Sequence, residues 1–518
     1  MKYGLSEKQL QETLSIIASF TEIEEAVLFG SRAIDTYKEA ADVDIALKGE
    51  RLTASLVAKL KFHFEEDTYL PFTFDFVVYP TITNEALKKH IDTKGVSIYR
   101  AGWKECKLED VADVQTGPFG SQLKNEQYVT GGTPVVTVEH VNNFRIIDFD
   151  YPSVTEEDKK RLSKYLLKRG DIVFTHVGSV DLSAFVKPHQ DGWMFSSRML
   201  RVRPHANIDS RYLSYFFQQD NFREHILNIS VGATMPSINT KILEGISVSF
   251  PPLPEQRAIA SVLSSLDDKI DLLHRQNKTL ESMAETMFRQ YFTPAPLPSP
   301  KGRGSKIGKN EDSKIVKIAE MVEFNPKRQL PKGKIAPYLD MANVSTSVFH
   351  PDNCIEREFS SGMRFINGDT LLARITPCLE NGKSAYVTFL ENGQVGWGST
   401  EFIVMRSKGN LHSLFTYALV KNKDFRDYAE GCLEGSSGRQ RVNVNHLAKY
   451  EIFLPKGSAL SAYNMVMQNI EPKLHSNFLQ IRTLGKFRDT LLPKLMSGAV
   501  RMEMDTHAEP HKSRRNHV

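Results

Sequence analysis

Apolar residues recur at alternating intervals of four and three in two long stretches of the chain. The positions in the first stretch are Ile259, Leu263, Leu266, Ile270, Leu273, Asn277, Leu280, Ala284 and Met287. The positions in the second stretch are Tyr463, Met467, Ile470, Leu474, Asn477, Ile481, Leu484, Arg488, Leu491 and Leu495. This spacing is typical of a coiled-coil seam. It predicts two spacer helices, over residues 254–293 and 457–504. Either each helix packs only on its own globular half, or the two seams pack against each other.

One asparagine interrupts each seam near its middle, Asn277 in the first and Asn477 in the second. If the helices run antiparallel and align about their midpoints, the two asparagines fall in one layer. A buried amide pair fixes the register of a coiled coil at some cost in stability. The sequence therefore predicts an asparagine pair that specifies the orientation of the helices.

The first hundred residues follow a strand pattern instead. Asp42 and Asp44 alternate with Val43 and Ile45, so on a strand both carboxylates point to one face and the apolar side chains to the other. A second apolar run, FTFDFVVY, contains Asp75. These runs predict a small α/β domain over residues 1–100.

The remainder of the chain repeats itself. LLKRGDIVFTHVGSVDLSAFV is matched by FINGDTLLARITPCLENGKSAYV, and GATMPSINTKILEGISVSFPPLP by SSGRQRVNVNHLAKYEIFLPKG, at an offset of about 200 residues. This pattern indicates a tandem duplication of a whole domain, over residues 103–253 and 314–456. Residues 294–313 are rich in Pro, Gly and Ser, which predicts a flexible linker. Residues 505–518 are polar, which predicts a disordered tail.

Composition limits the class of protein. The chain has 518 residues, 41% of them hydrophobic and 25% charged, which is typical of soluble globular domains. No window reaches the ~20 apolar residues of a membrane span, no secretory signal is visible, and the four cysteines lie far apart. We expect a cytoplasmic protein with reduced thiols and no membrane contact. A net charge of +4 is compatible with nucleic-acid binding but does not decide it.

The duplicated part resembles the specificity subunit of type I restriction-modification systems. The likeness rests on GATMPSINTKILEGISVSFPPLPEQRAI, GDTLLARITPCLENGKSAYV and GSTEFIVMR and covers residues 103–500. It implies an α+β multidomain fold, in which two tandem target recognition domains are separated by two long antiparallel coiled-coil helices. It also implies double-stranded DNA, methyltransferase subunits and restriction subunits as partners. S-adenosylmethionine and ATP would act only through those subunits. A spacer of about 57 Å exceeds the roughly 34 Å between half-sites one helical turn apart.

Bidentate polar side chains at the matching place in each repeat are candidates for reading bases. The candidate DNA-binding residues are Thr234, Asn239, Lys241, Arg439, Gln440, Arg441 and Asn443. Each is equally compatible with a solvated surface position or a phosphate contact. The two repeats differ most in segments that we expect to be loops, Phe119 to Lys124 and GGTPVVTVEHV in the first and PKGKIAPYLDMANV in the second. Unlike loops on equal scaffolds predict an asymmetric, bipartite DNA target.

The stretch LFGSRAIDTYKEAADVDIAL offers different chemistry. A strand that turns into a helix at Gly30 and Ser31 would present backbone N–H groups to phosphate oxygens, with Arg32 beside them. Carboxylates on adjacent strands could hold two Mg²⁺ ions that neutralise a triphosphate and activate an acceptor hydroxyl. The ordered set resembles the minimal nucleotidyltransferase domain of the polymerase beta superfamily, over residues 5–100. By that resemblance Asp42, Asp44 and Asp75 would bind metal, and Asp75 would also be the catalytic base. Gly30, Ser31 and Arg32 would bind the nucleoside triphosphate.

Two functions of different class follow. The first is a DNA sequence-specificity subunit that positions methyltransferase and restriction subunits and is not catalytic itself. The alternative is a Mg²⁺-dependent nucleotidyltransferase that transfers a nucleoside monophosphate to a protein or a small acceptor. IDTYKEAA stands where the motif often has a Gly and a Ser, so an inactive domain kept for docking is also open.

Overall fold

The computed structural model describes residues 3–38, 41–120, 122–142, 144–147, 150–232, 234–293, 314–346, 349–351, 354–435 and 440–500. It divides into two compact units. One unit is Met1–Val262 together with residues from Leu492 onward, and the other is Leu263–Leu491. The linker and tail predicted from the sequence lie outside the described residues.

The front domain, which comprises the first hundred residues, forms a four-stranded sheet with three helices. Its elements are α1 Glu7–Ser19, β1 Glu25–Phe29, β2 Val43–Lys48, α2 Ala54–Glu66, β3 Phe74–Val78, α3 Glu85–Lys94 and β4 Val96–Arg100. The strand order is β3-β2-β1-β4. Strand β2 is antiparallel to β1 and parallel to β3. All five residues of β1 are buried, and its apolar run from Ala26 to Phe29 is that of an inner strand.

The first repeat begins directly after the front domain. Its elements are β5 Lys104–Lys107, β6 Ala112–Thr116, β7 Thr133–Val136, β8 Val141–Asn142, β9 Arg145–Ile146, β10 Ser153–Val154, α4 Glu156–Arg161, β11 Ile172–Thr175, β12 Ser183–Phe185, β13 Met194–Phe195, β14 Met199–Pro204, α5 Ser210–Gln218, α6 Asp220–Ile229, α7 Thr240–Glu244 and β15 Ser247–Phe250. The main sheet has the order β12-β11-β14-β6, and a smaller sheet has the order β10-β7-β13. Strand β5 pairs with β15, so the first and last strands of the repeat meet.

The first spacer helix, α8 Leu253–Phe292, follows the first repeat, and the second repeat has its own elements. They are β16 Lys314–Lys317, α9 Ile318–Met321, β17 Val322–Phe324, β18 Ile335–Leu339, β19 Ile355–Glu358, β20 Met363–Phe365, β21 Thr370–Ala373, β22 Ser384–Tyr386, β23 Gly396–Gly398, β24 Phe402–Ser407, α10 Leu414–Lys421, α11 Lys423–Gly431, β25 Leu433–Glu434, β26 Arg441–Val442, α12 Val444–Leu447 and β27 Glu451–Leu454. The second spacer helix, α13, is Ser458–Met496.

The two repeats have the same topology. The main sheet of the second repeat, β22-β21-β24-β17, matches β12-β11-β14-β6 strand for strand, and the pair β16–β27 matches β5–β15. In each repeat two consecutive helices, α5 and α6 or α10 and α11, follow the last long strand of the main sheet. The duplication predicted from the sequence is therefore present in the structure.

Two of the three segments that we expected to be loops contain strands, so the expectation was wrong for GGTPVVTVEHV and PKGKIAPYLDMANV. Residues of GGTPVVTVEHV form β7, the middle strand of the small sheet of the first repeat. Residues of PKGKIAPYLDMANV form β18, an inner strand of a four-stranded sheet with the order β19-β18-β23-β20. Both strands contain buried apolar residues, but glycine and proline lie within or beside them. The glycine and proline residues suggested loops. The smaller sheets nevertheless match in three strands, β10-β7-β13 and β19-β18-β23, and the second repeat adds β20.

The spacer helices pack together in antiparallel orientation. The Asn477 amide donates a 2.8 Å hydrogen bond to Asn277 Oδ1. Nearer the start of α8, Asp267 accepts from Arg488 at 2.8 Å, so advancing along one helix means going back along the other. Every predicted seam position is buried or half-buried. The structure confirms that the seams meet and that the asparagines pair.

The second repeat binds both spacer helices through buried tyrosines. The Tyr417 hydroxyl donates to Glu281 of α8 at 2.9 Å, and the Tyr386 hydroxyl donates to Glu471 of α13 at 2.6 Å. Both aromatic rings pack against Phe349. The structure thus confirms the α+β multidomain fold, with a front α/β domain, two repeats and two long antiparallel helices. The exact domain boundaries stay predictions.

Candidate nucleotide site and DNA-reading segments

The three predicted metal-binding carboxylates lie on neighbouring parts of the front domain. Asp44 on β2 stands opposite Asp75 on β3 in the parallel register, and Asp42 directly precedes β2. Val43 and Ile45 are fully buried. Asp42 and Asp44 therefore point to the other face of the strand, as predicted.

The carboxylate of Asp44 has an altered electrostatic environment. Its pKa is raised above the ordinary value, first by burial and then by the negative charges of Asp75 and Asp42, while Arg32 opposes the shift. Three carboxylates that repel one another in this way would be relieved by a bound cation. The charge pattern fits a divalent metal ion.

Gly30 allows the backbone to pass close to the carboxylate of Asp44. It has a φ of +71°, and a Cβ atom there would lie 2.4 Å from Asp44 Oδ2. A side chain would displace the carboxylate, and its backbone conformation would also be strained. Gly30 and Ser31 begin a single 3-10 turn, Gly30–Arg32, which follows β1. This is the strand-to-helix turn expected for a phosphate site.

Arg32 has a different position from the one predicted. Its side chain is buried, and its guanidinium donates to the carbonyl oxygens of Tyr3, Ala41 and Asp42 at 2.7–3.2 Å. The aromatic rings of Tyr37 and Phe72 lie over it. Because these contacts use its donors, Arg32 is not directed at a phosphate group. It fixes the segment that leads into Asp42 and Asp44.

Asp75 forms an ion pair that the sequence did not suggest. Its Oδ1 lies 3.7 Å from Nζ of Lys61 on α2, and both side chains are about half exposed. In the described part of the chain, no three His, Cys, Asp or Glu side chains are close enough together to hold a metal ion. Asp75 would therefore have to leave Lys61 to complete a metal site, at little cost because exposed ion pairs are weak. No spacing in the sequence marks Lys61, since its position depends on how α2 packs.

The candidate DNA-reading segments occupy equivalent places in the two repeats. Asn239 caps α7 by accepting from the Ile242 N–H at 2.9 Å, and Asn443 caps α12 by accepting from the Asn445 N–H at 3.0 Å. Capping satisfies backbone donors at a helix start. Both asparagines therefore have a structural role, which the sequence analysis did not weigh.

The remaining candidates differ in how firmly they are held. Thr234 and Lys241 are exposed, and Gln440 exchanges hydrogen bonds with Thr376 through its backbone. Arg441 forms a bidentate ion pair with Glu401 at 2.7–3.0 Å. Arg439 lies outside the described residues. The roles of all seven residues in DNA binding stay predictions.

Comparison with known families assigns the front domain and the first repeat to two different families. Residues 100–282 match the type I restriction modification DNA specificity domain. Residues 11–102 match the polymerase beta nucleotidyltransferase family. The type I restriction enzyme MjaIX specificity subunit of Methanocaldococcus jannaschii is 24% identical over 421 residues, which cover 77% of this chain and 94% of the relative.

The chain carries a type I restriction modification DNA specificity domain and is similar over most of its length to type I specificity subunits.

Other specificity subunits are similar to it over shorter or more divergent stretches. The HindI specificity subunit of Haemophilus influenzae is 20% identical over 77% of this chain and 99% of its own length. The EcoEI specificity subunit of Escherichia coli is 35% identical, over 27% of this chain and 24% of its own length. Among solved structures, the S subunit from M. genitalium covers 78% of this chain and 96% of its own, at 14% identity and a TM-score of 0.46.

The chain also carries a front domain that matches the polymerase beta nucleotidyltransferase family, so both resemblances drawn from the sequence are confirmed. No helix within the described ranges combines the length and the apolar character that a membrane crossing needs. The structure adds two residues to the sites, Lys61 beside Asp75 and Glu401 beside Arg441. Neither has a sequence signal of its own, because both are brought in by tertiary packing.

Proposed function

We propose that this specificity subunit reads an asymmetric, bipartite DNA target, one half through each repeat, and positions methyltransferase and restriction subunits on it. The observation that carries the proposal is the duplicated scaffold with unlike reading segments. Equivalent strands support Thr234 to Lys241 in the first repeat and Gln440 to Asn443 in the second. Equal supports with different side chains are what two unlike half-sites require.

The geometry suggests how each segment is presented to DNA. In the first repeat Val177 pairs with Ser237, and in the second Ile375 pairs with Arg441, as isolated antiparallel bridges. Each reading segment is thus held beside the residues that follow an inner strand of the main sheet, β11 in the first repeat and β21 in the second. A short capped helix follows each segment. A rigidly held segment contacts base edges with less loss of conformational entropy than a free loop does.

The specificity role is tested by expressing the full chain with its methyltransferase subunit in a host that lacks such systems. Modified adenines are then mapped across the genome. We expect a split motif with two unlike halves. Lys241→Ala should change one half only and Arg441→Ala the other, while the control Lys59→Ala, in the front domain, should leave both unchanged. A soluble complex that methylates without a split motif would contradict the proposal.

A second function is supported by the front domain, where we propose Mg²⁺-dependent transfer of a nucleoside monophosphate to a protein or small acceptor. Asp42, Asp44 and Asp75 would hold the metal, and Gly30 with Ser31 would present backbone N–H groups to the triphosphate. Metal ions bound there would neutralise the phosphates and activate the acceptor hydroxyl. Burial, followed by the negative charges of Asp75 and Asp42, raises the pKa of Asp44, and a bound cation would offset the repulsion among these carboxylates.

Incubation of the full chain and its partner subunits with radiolabelled ATP and Mg²⁺ tests this second function. We expect label transfer that is lost in Asp42→Asn with Asp44→Asn. Asp67→Asn is the control, because Asp67 is bonded to His63 away from the three carboxylates. If no nucleotide labels any subunit or added acceptor, the front domain is a docking module. Methylation should be unaffected by either set of substitutions.

A further inference from the structure

The backbone of the second reading segment, residues 440–443, is held by two neighbouring segments. Ile375 forms an isolated antiparallel bridge with Arg441, and Glu434 pairs with Arg441 in a two-stranded sheet. Val442 is fully buried. Because neighbouring side chains on a strand point to opposite faces, the side chain of Arg441 is directed to the solvent from a fixed backbone position.

The carboxylate of Glu401 occupies one edge of the Arg441 guanidinium. Arg441 Nε donates to both carboxylate oxygens, at 2.9 and 3.0 Å, and Nη2 donates to Oε1 at 2.7 Å. Glu401 directly precedes β24, and its backbone carbonyl oxygen accepts from the Arg374 N–H at 2.9 Å. The carboxylate is therefore attached to the main sheet, and it fixes the direction of the guanidinium.

The other edge of the guanidinium is open. A guanidinium has five N–H donors in a planar fork, and Glu401 takes those of Nε and one of the two on Nη2. Within the described ranges, no group accepts from Nη1 of Arg441, and this side chain is 46% exposed. Two parallel donors, on Nη1 and Nη2, thus remain available beside the reading segment.

Two parallel donors match the major-groove edge of one base. Guanine presents two acceptors there, O6 and N7, whereas adenine and cytosine present an amino donor and thymine presents a methyl group beside one acceptor. An arginine that donates to O6 and N7 at once is a common specific contact with DNA. A guanidinium whose direction is already fixed loses less conformational entropy when it makes this contact.

The local charge also favours DNA as the ligand. Hydrogen bonds from Arg441 lower the pKa of Glu401, and the positive charge of Arg374 lowers it further. Glu401 is thus an anion that lies between two cations. Two guanidinium groups and one carboxylate leave a net positive charge, which attracts the phosphate backbone. The carboxylate therefore does not prevent the approach of DNA.

The equivalent positions of the first repeat carry different side chains. The His176 N–H donates to the carbonyl oxygen of Arg198 at 3.2 Å, which is the bond that the residue after β21 makes to Glu401. Ser237 forms the same isolated bridge in the first repeat that Arg441 forms in the second. An arginine and a serine cannot form the carboxylate–guanidinium pair, so this device belongs to the second repeat.

We propose that Arg441 reads a guanine in the major groove of the second half-site and that Glu401 is the positioning residue that orients it. This inference rests on the proposed reading of one half-site by each repeat. It assigns a G·C pair to the half-site of the second repeat and no such contact to the equivalent place in the first. An exposed ion pair contributes little to stability, so its main effect is on specificity.

The test in cells uses the full chain with its methyltransferase subunit and maps methylation. Arg441→Ala should relax one G·C position by roughly 5- to 150-fold, because a bidentate contact contributes discrimination of that order. Glu401→Ala should relax the same position by a smaller factor, and Glu401→Gln should partly restore it, since the amide keeps one acceptor oxygen. The matched controls are Arg289→Ala, in an exposed ion pair with Glu285 on α8, and Glu430→Ala, on α11.

Binding of the purified complex to modified DNA supplies a readout that a merely structural role would not move. Deazaguanine, in which carbon replaces N7, still pairs with cytosine, and inosine lacks only the minor-groove amino group. At the G·C position deazaguanine should weaken binding of the wild type by roughly tenfold, because a hydrogen bond to a charged group contributes about that factor. Inosine should weaken it little. The deazaguanine effect should be absent in Arg441→Ala and reduced in Glu401→Ala.

Several results would overturn the inference. One is a motif whose half altered by Arg441→Ala contains no G·C pair, and another is a deazaguanine effect that is equal in the wild type and in Arg441→Ala. Uniform weakening on all sequences in Arg441→Ala would show a phosphate contact instead. An unchanged motif in Glu401→Ala would remove the positioning role.

The wild type alone decides if Arg441→Ala does not assemble with the methyltransferase subunit. In that case, wild-type binding that is insensitive to deazaguanine at every guanine of both half-sites overturns the inference. These outcomes are separate from failure of the proposed function. That failure would appear in the wild type itself, as the absence of a split motif.

Discussion

The two repeats share a buried aspartate directly before an inner strand of the main sheet, β11 in the first repeat and β21 in the second. The positively charged partners of this aspartate differ between the repeats. Among the described residues, the ion-pair partner of Asp171 is Arg203, through two hydrogen bonds of 2.7 and 2.8 Å. Asp369 pairs with Arg406 at 2.9 Å and also with Arg328 at 2.6–2.8 Å. Asp369 is fully buried and Asp171 almost so. The duplicated scaffold keeps the first arginine, and the second domain adds another.

The added arginine matters because of where it lies. Arg328 belongs to the connection between β17 and β18, and its carbonyl oxygen accepts from Arg364 at 2.6 Å. The corresponding connection of the first domain is held by Arg161 and Tyr165, which both bond Gln122. Duplication therefore preserved the sheet and its buried carboxylate, while each domain acquired its own contacts to hold a different connection.

Removal of the buried carboxylate should have the largest effect, and a larger one in the second domain. Asp369→Asn leaves two guanidinium groups without a counter-charge, whereas Asp171→Asn leaves one. Breaking a buried ion pair from one side costs about 3–5 kcal/mol, and we expect Asp369→Asn to fall at the upper end. Hydrogen-exchange protection of the β21 amides, compared with that of β11, measures the loss.

The control for this comparison is Asp427→Asn, because Asp427 is exposed on α11. It should leave the protection of both strands unchanged. Equal losses for Asp171→Asn and Asp369→Asn would show that the second arginine contributes nothing to the stability of the sheet.

The long-range pattern of the sequence predicted what depends on periodicity. The seams, the asparagine pair and the duplication all follow from regular spacing, and the structure contains each of them. Strands β7 and β18 were missed because they are short and flanked by glycine and proline. The burial of Arg32 and the contacts of Lys61 and Glu401 could not be predicted, because they depend on segments that only tertiary folding brings together.

Each of the two spacer helices contributes one asparagine to the pair between them. Substitution of this pair tests how the register of the helices is fixed. Asn477→Leu alone removes the donor to Asn277 and leaves a half-buried amide facing an apolar side chain. We expect a cost of about 1–3 kcal/mol. The double substitution to leucine should recover stability but weaken register. Thermal unfolding and interhelical cysteine cross-linking measure these two effects.

Asn469→Leu is the matched control, because Asn469 is exposed on the outer face of α13. It should change neither measurement. An unchanged cross-linking pattern in the double variant would mean that the Asp267–Arg488 ion pair, or the tyrosine contacts to the second domain, already fix the register.

The smallest expected effect is a pH response of the second reading segment. Arg441 hydrogen bonds hold the pKa of Glu401 below its ordinary value. Because a lowered pKa stabilises the folded form above the unfolded pKa, this contribution is lost as pH falls through the folded pKa. The second segment should therefore loosen on acidification. The change is small because exposed ion pairs contribute little.

Protection factors of residues 440–443 and, for comparison, of residues 237–239 in the first segment, followed across pH in the full chain, measure this response. Glu401→Gln should remove the acid response of the second segment without altering the first. Glu430→Gln, at an exposed position on α11, should alter neither. If the second segment keeps its protection on acidification, or loosens equally in Glu401→Gln, the Arg441–Glu401 ion pair does not hold it.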